Sequence, residues 1–123
     1  MKIQLSEHRI LPDALTVWGH AGPEVDIVMD LKNLTFRPGS ITEMHVFHVL
    51  DHLFPEEGKA ALANWYQMLA PSARIHSLQD DFEYVARAFV GGDISPDIFN
   101  DLHNHPTQCT KEYIVPFFHA AGF

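Results

Sequence analysis

The sequence predicts an α/β three-layer sandwich around a mostly parallel sheet, and three observations carry that prediction. The first half of the chain holds short apolar runs with the two-residue period of strands, joined by connections too thin for helices. Between the fourth and fifth runs the period lengthens to three and four residues over 55–69, supplying the dozen or more residues that a crossover between parallel strands needs. The C-terminal third then reads as helices. At 123 residues and 14.0 kDa the chain has room for one domain, 1–123, which hides roughly two thirds of its extended surface on folding.

The first strand is Lys2–Leu5 (KIQL), which stops at the polar residues Ser6, Glu7 and His8. The second, Leu15–Trp18 (LTVW), is opened by Leu11, Pro12 and Asp13 and closed by the Gly19–Pro23 breaker cluster. The third, 25–29 (VDIVM), is rich in β-branched residues and stops at Asp30. A turn of Arg37, Pro38, Gly39 and Ser40 leads to the fourth, 41–46, and Pro71 and Ser72 precede the fifth, 73–78. Phe47, Leu50, Leu53 and Phe54 mark a short helical turn. The long helix over 55–69 starts with Pro55 at its first position and Glu56 and Glu57 in its first turn, where acids meet the positive end of the helix dipole. Its buried stripe is Ala61, Leu62, Trp65, Met68 and Leu69. A further helix over 80–90 buries Phe82, Val85, Ala86 and Phe89 and ends at Gly91 and Gly92. The last, Lys111–Ala121, places Tyr113, Ile114, Phe117 and Phe118 on one side and ends at Gly122.

Charge narrows the partners. The chain carries 16 acidic against 8 basic residues, net −8, and its cations are scattered singly. A nucleic acid or an anionic membrane surface needs cations gathered on one face, so neither is expected as a partner. No run approaches the roughly 18 apolar residues of a bilayer span. Glu7, His8 and Arg9 come too early for a secretory apolar core, and a cytoplasmic location is expected. The single Cys109 excludes an internal disulfide.

Parallel sheets take ligands beyond the carboxyl ends of their strands, where the strand order reverses. The residues at those ends are Ser6, Glu7 and His8, then Trp18, Gly19 and His20, then Asp30 and Leu31, then 47–52, then Gln79 and Asp80. Nine histidines are the compositional oddity. His45, His48, Asp51 and His52 recur at spacings of three and four, and 101–105 (DLHNH) holds Asp101, His103 and His105. Two such clusters meeting in space would make a transition-metal site. There is no H-E-x-x-H and no cysteine near either cluster, so no metal ligands are assigned, and a His-rich metal-dependent hydrolase stands as an alternative.

Three segments resemble the class I S-adenosylmethionine-dependent methyltransferases, and most closely their small predicted bacterial members sometimes linked to glycan assembly. DLKNLTF at 30–36 is similar to the family's D-L-x-x-L-P-F after the third strand. ITEMHVFHVLDH at 41–52 is similar to S-V-D-E-I-x-x-S-H-V-L-E-H, and WYQMLAPSAR at 65–74 to W-x-R-V-L-K-P-G-G-R. The resemblance implies a Rossmann-like sheet of five strands in the order 3-2-1-4-5. It also implies S-adenosylmethionine as cofactor, and a small molecule or saccharide as methyl acceptor. By the same resemblance Asp30 accepts from the adenine amino group, Leu31 walls the adenine, and Phe47 and His48 line the pocket. A methyl acceptor must lose a proton, for which His48 or His52 would serve as base with Asp51 orienting the ring. Asp30 also reads simply as a cap on its loop.

The chain departs from that pattern at four places. The glycine motif L-G-x-G, whose bare backbone lets the cofactor approach, is replaced by Leu5, Ser6, Glu7 and His8. The acid expected after the second strand aligns with Trp18 or Gly19, so Trp18 is expected to fill part of the pocket. Pro71, Ser72 and Ala73 stand in place of P-G-G, and the family's terminal β-hairpin has no counterpart. Weakened or lost cofactor binding is the expectation, with a non-catalytic interaction module partnering an active enzyme as the alternative. A sheet without its terminal hairpin leaves an unpaired edge, for which a homodimer is the expected cover.

Overall fold

The computed structural model describes residues 1–103 and 105–123, the side chains of Leu102 and His103 excepted. Five strands, β1 (Lys2–Leu5), β2 (Leu15–Trp18), β3 (Ile27–Val28), β4 (Ile41–Phe47) and β5 (Leu69–Leu78), pair in parallel in the order β3-β2-β1-β4-β5. This is the parallel α/β sandwich that the residue patterning predicts, in the Rossmann-like strand order that the resemblance implies. The chain winds outward through β1, β2 and β3, then crosses to the other side of β1 for β4 and β5. The reversal therefore falls between β1 and β4.

Register decides which side chains share a face. Ile3 lies beside Leu15 and Met44, Leu5 beside Val17 and Val46, and Met44 beside Ile75. Ile3, Leu5, Val17, Met44 and Val46 form one buried cluster with Ala61, Leu62, Trp65 and Met68 of α1 (Pro55–Met68) and Ile114 of α4 (Lys111–Ala121). α1 begins as its sequence suggests: Pro55 opens it, and the Glu57 carboxylate accepts from the Phe54 backbone N–H at 3.1 Å. Trp65 is fully buried, and its indole N–H donates to the Leu31 carbonyl at 2.7 Å. The central helix is thereby tied to the loop after β3.

Over β1 and β2 the opposite face is covered by a loop. Gln4 is fully buried there, between Thr16 and His45 in register. Its amide donates to the Thr16 hydroxyl at 2.9 Å and the Leu11 carbonyl at 3.1 Å. Its amide oxygen accepts from the N–H groups of Ile10 and Leu11 at 3.1 and 2.9 Å. A buried Gln with all four bonds made clamps the 6–14 segment in place.

Several boundaries differ from the sequence reading, each for a local reason. β3 is two residues rather than 25–29, because the Val25 N–H closes a turn onto Gly22 at 3.2 Å. α1 gives way to β5 at Leu69, so β5 starts four residues earlier than 73–78. Its pairing with β4 jumps from Leu69 to Arg74 across Pro71 and Ser72, and Ser72 takes a positive φ of 65°. Proline is tolerated there because β5 is an edge strand, paired only with β4. α2 (Phe82–Val90) starts two residues later than predicted, with the Asp81 side chain accepting from the Glu83 N–H. Val85 and Ala88 are its buried residues; Phe89 is exposed and stacks on Phe99 of α3 (Pro96–His103), a helix the sequence reading lacks. Tyr113 of α4 is likewise exposed. Among the described residues no helix is long and apolar enough to cross a membrane.

Candidate functional site

A cleft of about 810 Å³ opens at the carboxyl ends of β1, β2 and β4, at the reversal of strand order. Ser6, Glu7 and His8 line it after β1, Trp18 and Gly19 at the end of β2, and Asp30, Leu31 and Lys32 after β3. Phe47, His48 and Val49 line it at the end of β4, with His52 and Leu53 beyond. Of the candidates read from the sequence, Ser6, Glu7, His8, Trp18, Asp30, Leu31, Phe47, His48 and His52 are thus brought to one cavity. Leu5 is a correction: it lies on the core face beside Val17 and Val46, is fully buried, and does not line the cleft. Strand alternation forces this, since the residue one before Ser6 must point the other way. Asp51 is also absent from the lining; it is buried behind it.

The wall made by β1–β3 is internally bonded. The Ser6 hydroxyl donates to the His8 carbonyl, and one Asp30 oxygen accepts from the Lys32 N–H at 2.9 Å. The Trp18 indole N–H donates to His20 Nε2 at 3.1 Å. Beneath it, Asp26 accepts from the Thr16 N–H at 2.8 Å and from Arg9 at 2.6 Å, and these donors, the backbone one foremost, hold its carboxyl below the usual carboxylate range. Where the resembled family has bare glycine backbone, this chain presents the side chains of Ser6, Glu7 and His8.

The β4 wall is different. His48 has φ 53°, in the left-handed region, held by its N–H donating to the Leu78 carbonyl at 2.8 Å. Behind it the Asp51 side chain is only 1% exposed, and among the described residues neither of its oxygens takes part in a hydrogen bond. Asp51 Oδ2 lies 3.6 Å from His48 Nδ1 and 3.6 Å from His105 Nδ1. Asp80 lies beside both, its Oδ1 3.9 Å from His48 Nδ1 and its Oδ2 3.9 Å from His105 Nδ1, so that Asp51 is shared by two close triads, His48–Asp51–Asp80 and Asp51–His52–His105. His52 packs its ring edge-on to His105, centroids 4.5 Å apart. The burial of Cys109, and next to it the charges of Asp51 and Asp80, push its thiol up to about 11.

This group is assembled from four separate segments. His48 comes from the end of β4, Asp51 and His52 from the 3-10 turn Leu50–His52, and Asp80 from the link between β5 and α2. His105 is brought in by 105–109: the Thr107 N–H donates to the Asp51 carbonyl at 3.3 Å, and its hydroxyl to the Leu53 carbonyl. The Cys109 carbonyl in turn accepts from the Phe82 N–H at 2.9 Å, fixing the start of α2 beside Asp80. The two histidine clusters of the sequence therefore do meet, through His48, Asp51 and His52 on one side and His105 on the other. Asp101 is exposed, and Asn104 and the His103 side chain fall outside the described residues. His45 stands apart, hydrogen-bonded to Glu43 at 2.6 Å and stacked on His76. No family model matches the chain, and no curated protein matches it.

Proposed function

We propose that the chain is a methyltransferase-like domain whose cleft receives the adenosine half of S-adenosylmethionine and holds the methionine half weakly. The observation that carries the reading is the position of the cleft: it sits at the β1/β4 reversal, with Asp30 and Leu31 among its lining on one side and Phe47 and His48 on the other. A nucleoside suits that lining. Trp18, Leu31, Phe47 and Leu53 offer apolar contact for a base, and an Asp30 carboxylate that already accepts one N–H keeps lone pairs for an amino group.

The methionine half does not fit. By the resemblance, Ser6, Glu7 and His8 stand in place of the glycines, and the side chains they add line the cleft, Glu7 bringing a negative charge to it. No methyl-transfer step is assigned to this chain for that reason. His8, His48 and His52 are the imidazoles among the cleft's lining.

Calorimetric titration of the chain with adenosine, S-adenosylhomocysteine and S-adenosylmethionine tests this. The three are expected to bind within about threefold of one another, because the amino-acid tail adds no net contact. A preference of more than about tenfold for S-adenosylmethionine would mean an intact methionine subsite and overturn the weakened-binding part. No saturable binding by any of the three would remove the nucleoside reading itself.

A further inference from the structure

We propose that His48, Asp51, Asp80 and His105 form a binding site for a divalent first-row transition cation behind the β4 wall of the cleft. The inference does not depend on nucleoside binding.

The first argument is the unsatisfied carboxylate. The Asp51 carboxylate, almost wholly removed from water and with no hydrogen-bond donor among the described residues, is an expensive arrangement unless a cation completes it. The second is distance. Separations of 3.6 Å from Asp51 Oδ2 to His48 Nδ1 and to His105 Nδ1 are too long for hydrogen bonds. They lie close to the ~3.3 Å edge of a tetrahedron whose metal–ligand bonds are about 2.0–2.1 Å. The 3.9 Å separations from Asp80 run to different oxygens, Oδ1 to His48 Nδ1 and Oδ2 to His105 Nδ1, so the half-buried Asp80 side chain would turn one oxygen toward a cation seated on Asp51.

The third argument is donor chemistry. Two imidazole nitrogens and two carboxylate oxygens suit zinc and its first-row neighbours, whereas calcium and magnesium prefer oxygen alone. Charge closes as well, since two carboxylates and two neutral imidazoles balance a dication. His52, beside His105 and exposed on the cleft, also has a ring nitrogen within 4.8 Å of the Asp51 and His105 ligand atoms and is the reserve ligand of the site. In this arrangement His48 is a metal ligand rather than a proton acceptor. The other histidine group, Glu43, His45 and His76, lacks the key feature: Glu43 is bonded to His45 at 2.6 Å and to Lys2 at 3.3 Å, so its charge is already met.

The rival explanation is that one imidazole is protonated and closes on Asp51 as an ion pair. Equilibrium dialysis against zinc chloride with elemental analysis, calorimetric zinc titration and thermal melts with and without zinc separate the two. The chain is expected to bind one equivalent of zinc and to melt higher with it. Asp51→Asn and His105→Ala are each expected to weaken binding by more than about tenfold and to abolish the zinc-induced rise in melting temperature. His76→Ala is expected to match the parent within about twofold in zinc affinity. Asp51→Asn should melt no lower than the parent in EDTA, because it removes a buried charge; should it fail to fold, the zinc affinity of His105→Ala decides alone. Absence of stoichiometric binding, or binding that survives Asp51→Asn and His105→Ala but is lost in His76→Ala, would overturn the proposal.

Discussion

Along the β1–β3 wall of the cleft the polar groups answer one another. Ser6 is bonded to His8, Trp18 to His20, and Asp30 to the Lys32 backbone, all within a few residues. Across the cleft, behind the β4 wall, Asp51 is more deeply buried than any of these and has no hydrogen bond among the described residues. The contrast teaches how the two sides of one cleft are to be read. A wall satisfied by its own side chains is stable without a ligand, and can lose affinity for one at no cost to folding. A buried carboxylate facing two imidazoles and a second carboxylate needs something to complete it.

The two walls also differ in what braces them, and the largest expected effect bears on that. Trp65 packs α1 into the core and its N–H holds the Leu31 carbonyl, the most deeply buried of the ties, with Asn64 to Leu34, that join α1 to the loop after β3. Trp65→Ala is expected to cost about 3–5 kcal/mol in urea unfolding, enough to leave a marginal domain largely unfolded. Trp65→Phe keeps most of the packing, and a loss of about 1–3 kcal/mol would reflect the orphaned carbonyl.

Two carboxylates sharpen the comparison next. Without metal, Asp51→Asn is expected to stabilise the chain by about 1–3 kcal/mol, because an amide that can donate to the neighbouring imidazoles replaces an unpaired buried charge. Asp30→Asn, exposed and already bonded, is expected to change stability by less than about 0.5 kcal/mol. Equal effects at the two positions would erase the distinction between the walls. A smaller effect is expected from introducing glycines at Ser6 and His8, as in the family the segment resembles. Ser6→Gly combined with His8→Gly should raise the preference for S-adenosylmethionine over adenosine by up to about tenfold in calorimetry, with adenosine affinity itself little changed.

Much of the sheet was legible because its signals are local. KIQL stopped at the polar run Ser6, Glu7 and His8 and LTVW was bounded by breakers on both sides, and the observed β1 and β2 match those bounds. The crossover helix announced itself through Pro55, the following acids and the Trp65 stripe. α3 was missed although its start was readable: Ser95 caps it, its hydroxyl oxygen accepting from the Ile98 N–H at 3.2 Å, with Pro96 at the first helical position. The early start of β5 was hidden by Pro71, which argues against a central strand but not against an edge.

The cleft was legible for the same reason as the sheet, since strand ends are local and the fold gathers them. The buried cluster was not. His48, Asp51 and His52 share a short stretch, but Asp80 and His105 reach them only through long-range contacts such as Thr107 to Leu53 and Phe82 to Cys109. No spacing rule encodes such contacts. Leu5 shows the opposite failing: a motif placed it at the ligand, while the two-residue period of its strand turned it into the core.

Anomalous diffraction from zinc-soaked crystals of the full chain, recorded at the zinc edge, tests the difference between the two walls most directly. The expected result is one strong peak bonded by His48 Nδ1, Asp51, Asp80 and His105 Nδ1. A map empty there, with Asp51 instead closed onto a protonated His48 or His105, would contradict the account.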